Sequence, residues 1–164
     1  MKNLQKGRSM IEMLGVLAIV GVLSIGGLAG YTMAMNRWRA NTLTDYVTRC
    51  LVVSQTRGVD GRPAAGAACE DVLNEGLPGF VDSVEIQNYA PDTDETRILV
   101  TGVSDTVIPV LTDKMGDRVN GVAVKRLADC GTYTAASETF AATFKSLTAA
   151  TSGNSVCFSF MNAS

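Results

Sequence analysis

The sequence contains no histidine, which excludes imidazole acid–base catalysis and the commonest nitrogen ligand for zinc. Its four cysteines, Cys50, Cys69, Cys130 and Cys157, never form a CxxC pair, so the usual thiolate zinc arrangements are missing as well. There is no GxSxG elbow, phosphate loop or dinucleotide-binding glycine turn. An enzyme is not expected, and no cofactor or metal is expected. Excess positive charge is also lacking. Lys and Arg total 14 against 16 for Asp and Glu, a formal charge of -2. Without Lys2 and Lys6 the side chains would total -4, and neither value gives a general attraction to nucleic acid. Arg37, Arg39, Arg49 and Arg57 are read as solvated or paired rather than dedicated to a polyanion.

The chain does have a long apolar run. From Met13 to Asn36 there are 24 residues without a formal charge, about 36 Å of helix at about 1.5 Å per residue, enough to cross a bilayer core of about 30 Å. Lys2, Lys6 and Arg8 precede the run and favour a cytoplasmic N-terminus. Arg37 and Arg39 on the far side oppose that bias. Three roles compete for this segment: a secretory signal cut after Ala29, with Gly27 and Ala29 as the small residues, a permanent single-pass anchor, or the core of a polymer. Glu12 discriminates among them. An unpaired carboxylate carried into hydrocarbon costs on the order of 2 kcal/mol or more, so it needs either the headgroup level or a partner. A newly exposed N-terminal amine on a neighbouring parallel helix is such a partner and would set the register between subunits.

The stretch Lys6-Gly7-Arg8-Ser9-Met10-Ile11-Glu12-Met13-Leu14 resembles the leader junction of type IV pilins and pseudopilins. In that family a short basic leader ends in Gly, cleavage follows it, and the fifth mature residue is Glu. Gly7 and Glu12 match at that spacing, and an apolar helix follows. The resemblance is specific over roughly the first 50 residues and architectural beyond. It implies that a prepilin peptidase cuts between Gly7 and Arg8 and methylates the new amine. It further implies a homo-oligomeric helical filament, built at the bacterial inner membrane by dedicated assembly machinery and extended outside the cell for adhesion, aggregation, motility or conjugative contact. Two features differ from the family pattern. Arg8 stands where Phe, Met or Leu is usual, and no proline interrupts the apolar helix. Gly26, Gly27 and Gly30, each weakening helix by about 1 kcal/mol relative to Ala, either loosen the segment during assembly or, as Gly26 and Gly30 in a GxxxG spacing, let helices pack closely. A minor pilin or a type II secretion pseudopilin shares this N-terminus. A membrane-anchored periplasmic binding domain or a secreted hydrolase needs neither Gly7 nor Glu12.

The expected fold is α+β: residues 1–7 a leader, 8–36 the protruding apolar half of a long helix, 37–57 its amphipathic half, and 58–164 a globular head with an antiparallel sheet over the helix. Leu43, Val47, Cys50, Leu51 and Ser54 recur at three- and four-residue spacing, the mark of one packed helical face. Residues 58–68 read as a loop and the stretch from Cys69 as a short helical turn. Strands are expected at Val81–Asn88, Arg97–Val103, Val119–Leu127 and Ser155–Met161, the last with Val156, Phe158 and Phe160 on one face. Thr106–Lys114 reads as a short helix despite Pro109. Residues 136–149 read as a helix that places Phe140, Phe144 and Leu147 on one core-packing stripe. Asp92, Asp94 and Glu95 supply hard oxygen ligands of the kind Ca²⁺ takes, but their spacing completes no known loop, and a solvated turn is preferred. An even cysteine count behind an export-type N-terminus points to disulfides in an oxidising compartment. Of the three possible pairings, Cys50 with Cys69 and Cys130 with Cys157 close the shorter loops; sequence alone leaves the connectivity open. A helix-containing region bounded by a C-terminal disulfide is similar to the larger pilins of the type IVb group.

Overall fold

The computed structural model of the chain describes residues 4–57, 65–90, 95–115, 121–131, 144 and 147–161, and within them the side chains of all but residues 4–9 and 88–90. Two compact units divide the chain, Met1–Asn36 and Arg37–Ser164. In the first, helix α1 begins at Leu4; it continues to Arg57 in the second, 54 residues in all. No proline falls within it, and it runs unbroken through Gly26, Gly27 and Gly30.

The second unit is built on residues 37–57 of α1. Ala40, Leu43, Tyr46, Val47, Cys50 and Leu51 are buried in one cluster, the helical spacing that the sequence displays. After α1 come α2 (Cys69–Leu73), β1 (Ser83–Ala90), β2 (Glu95–Thr101), α3 (Ile108–Met115), β3 (Val122–Arg126) and β4 (Val156–Met161). The four strands form one sheet in the order β1-β2-β4-β3, antiparallel at every pairing. All four strands fall where the sequence reading places them, to within about two residues, apart from a later start for β3. The α+β class holds: a long helix packed against an antiparallel sheet, with short helices and two disulfides.

Alternation along the strands divides the sheet into two apolar faces. Val84, Ile86, Ile98, Val100, Val124, Val156, Phe158 and Phe160 join the α1 cluster. Leu99, Ala123 and Cys157 join Leu127, Cys130 and Phe144 in a second, smaller one, with Leu147 packed against it. Such period-two partition is what a pleated strand imposes. Phe144 and Leu147 therefore have the core role expected of their stripe, but residues 147–149 are not helical; residues 136–143, 145 and 146, Phe140 among them, lie outside the described residues. α3 starts two residues later than expected. Pro109 occupies its first turn, where the missing N–H costs no helical hydrogen bond. Gly102 follows β2 with φ of +77°, and a Cβ there would run into Asp82; glycine is required because Asp82, whose N–H donates to Thr101 O at 2.9 Å, lies against it at the open end of the β1–β2 pair.

Both disulfides take the shorter-loop pairing. Cys50–Cys69 ties α1 to α2 with Cα atoms 5.5 Å apart, and Cys130–Cys157 ties the segment after β3 to β4 with Cα atoms 5.4 Å apart. Closing loops of 19 and 27 residues contributes about 3 kcal/mol each on chain-entropy grounds.

Candidate functional site

Met10, Ile11, Met13, Leu14, Val16, Leu17, Ile19, Val20, Val22, Leu23, Ile25 and Leu28 are all exposed on α1. Soluble domains rarely leave so large a contiguous apolar surface uncovered. The helix is long and apolar enough to span a membrane. Two of its hydroxyls are satisfied by the helix itself: Ser24 Oγ donates to Val20 O at 2.7 Å and Thr32 Oγ1 to Ala29 O at 2.9 Å. Hydroxyls satisfied within their own helix can enter hydrocarbon without losing a hydrogen bond. Glu12 is exposed, immediately before the uncharged run. Gly7 and Arg8 lie in the helical backbone of α1, and residues 1–3 lie outside the described ones. Around Gly26, Gly27 and Gly30 an added Cβ would meet nothing within 4 Å.

On the other sheet face the structure corrects one expectation. Glu95 does not sit in a solvated turn; it is fully buried as the first residue of β2. Its Oε1 accepts from Arg97 Nε at 2.7 Å and from Ser159 Oγ at 2.6 Å. Arg97 Nη1 donates to Cys130 O at 2.7 Å, and its guanidinium lies 5.7 Å from the Phe144 ring centroid. The network joins β2, β4 and the Cys130 disulfide segment. Spacing of two along a strand puts Glu95 and Arg97 on one face, a signal present in the sequence, but Ser159 is distant along the chain. Asp92 and Asp94 lie outside the described residues. A bulge in β1 between Ile86 and Asn88 frees Gln87, whose Oε1 accepts the Cys130 N–H at 2.7 Å, as bulges re-aim side chains.

Among the described residues, no group of three or more His, Cys, Asp or Glu side chains can hold a metal ion. An open cleft lies beside Ile108, Pro109, Thr112, Val124, Ala149 and Ala150, but both its cations are engaged. Lys125 Nζ donates to Leu147 O, and Arg126 pairs with Asp105 at 2.8 Å. Comparison with family models, curated proteins and solved structures yields no match.

Tyr46, 3% exposed on the packed face of α1, accepts or donates no hydrogen bond through its Oη among the described residues. Burial first, then the charges of Glu70 and Glu75, push its phenol above the ordinary value. The folded state therefore holds the proton more tightly than the unfolded chain, and stability present below about pH 10 falls as pH rises beyond it. Tyr46→Phe should unfold at the same or slightly higher denaturant concentration at neutral pH, and lose less between neutral pH and about pH 11 than the parent. Equal losses in denaturant titrations of the two proteins would contradict this.

Proposed function

We propose that this chain is the precursor of a type IV pilin-like structural subunit, trimmed after Gly7 and polymerised through α1 into an extracellular filament. One observation carries the reading: α1 presents an exposed apolar surface from Met10 to Leu28 and a buried face from Ala40 to Leu51. A helix divided in this way needs cover for its first half. Lipid provides that cover before assembly and sister helices provide it afterwards. Moving from one apolar surrounding to the other carries little hydrophobic cost, while close packing between helices gives cohesion. The junction around Gly7 and Glu12 supports the same reading, with Glu12 paired to the amine of Arg8 on an adjacent subunit. Two disulfides fit a head that folds outside the cytoplasm. The part played by the subunit is structural rather than catalytic.

Intact-mass measurement of protein from its native membrane tests this. The expected species begins at Arg8 and carries one added methyl group. A species beginning at Gly30 would mark a secretory signal and overturn the proposal.

A further inference from the structure

Directly after the uncharged run stand Arg37, Trp38 and Arg39. Trp38 is 56% exposed, its ring centroid 6.2 Å from that of Phe80. The Arg39 guanidinium lies 5.9 Å from the Phe80 centroid, and Arg37 is exposed. The other arginines with described side chains behave differently. Arg49, Arg97 and Arg126 each pair with a carboxylate, and Arg57 donates to Val72 O at 2.6 Å. Neither Arg37 nor Arg39 forms an ion pair among the described residues. One turn further along α1, Asn41 accepts from Lys114 Nζ at 3.0 Å, bringing a third cation to this end of the unit. Its acidic neighbour there is Asp113.

Arginine on the translocated side of a span runs against the usual charge bias and calls for a compensating anion. Guanidinium matches phosphate oxygens two at a time. Tryptophan favours the headgroup level, where its ring lies among apolar carbons and its N–H reaches water or esters. We propose that Arg37, Trp38 and Arg39, with Phe80 and Lys114 beside them, form an interfacial collar that seats the unassembled chain on the phosphates of anionic lipid headgroups. The inference rests on the membrane-anchored reading above and adds its lipid partner. The collar fixes how deep α1 sits: the arginines hold the phosphate plane while their aliphatic stems follow the apolar helix inward.

Trp38 is the single tryptophan, so intrinsic fluorescence reports this position alone. The test uses the full chain reconstituted in vesicles of phosphatidylglycerol or phosphatidylcholine, brominated either near the glycerol or near the chain ends. Flotation after alkaline washing is measured first. The expected result is co-flotation, with most Trp38 emission lost to shallow bromines and most retained with deep ones. Shallow quenching is stronger in phosphatidylglycerol, and the Arg37→Gln/Arg39→Gln variant loses that excess while still floating. A chain that floats but whose Trp38 is quenched by neither bromine, or equally in both lipids, overturns the collar and leaves the anchor standing. Emission that depends on protein concentration rather than lipid marks a contact between subunits and overturns it too. Failure to float overturns the anchor reading itself.

Discussion

Arg97→Ala lowers the stability of the head by about 3–5 kcal/mol, the usual cost of removing one partner from a buried ion pair. Such a loss is a large part of the total for a domain whose stability lies in the range of about 5–15 kcal/mol. The substitution leaves Glu95, fully buried, with the Ser159 hydroxyl at 2.6 Å as its one remaining partner in that network. It also orphans the Cys130 carbonyl that Arg97 Nη1 reaches at 2.7 Å. Charge and geometry can be separated with a second variant. Glu95→Leu/Arg97→Met removes both charges at similar volume and should recover most of the loss, because desolvating the pair is itself expensive. Denaturant titration of the full chain in detergent, followed by Trp38 emission, decides between these outcomes. A single variant within about 0.5 kcal/mol of the parent would show that the network contributes nothing.

Glu12→Val removes the one carboxylate next to the uncharged run. Under the assembly proposal it leaves the Arg8 amine of a neighbouring subunit without its partner in an apolar filament core. Breaking such a pair at about 3 kcal/mol or more weakens each subunit addition by about a hundredfold. Filament yield should therefore fall below detection, while export and cleavage after Gly7 continue. Glu12→Asp, which keeps the charge but shortens its reach, should retain partial yield. Sheared surface filaments quantified beside the membrane-bound pool provide the measurement. Normal yield from Glu12→Val would sink the pairing role without touching membrane anchorage.

The legible parts of this fold were those governed by near neighbours. α1 announces itself by an apolar run followed by Leu43, Val47, Cys50, Leu51 and Ser54 at helical spacing, all five buried. β4 announces itself by Val156, Phe158 and Phe160, which share the larger core. Loop length alone favoured the disulfide pairing that the structure has. What was not legible depends on residues far apart in the chain. Glu95 reads as the end of an acidic turn because its Ser159 partner is 64 residues away. The apolar second face of the sheet is disguised, since Leu99 and Cys157 lie between residues that belong to the first. Trp38 and Phe80 meet across 42 residues, and the pattern at either position says nothing of the other. The Gly7–Glu12 spacing is different in kind, because the processing and pairing proposed for it are chemical rather than conformational.

β4 is the last strand in chain order, yet it lies between β2 and β3, with Glu95 opposite Met161. Among the described residues β2 and β3 have no other bridge across the sheet, so the β1–β2 hairpin and β3 stay unjoined until β4 reaches them. Pairing at such separation comes late because the loop entropy is lost before contacts reward it. If the head is exported as proposed, the sheet becomes whole only once the chain as far as Met161 has passed through the translocation channel. The cytoplasm then never holds a completed head, and the translocation machinery handles an unclosed chain throughout.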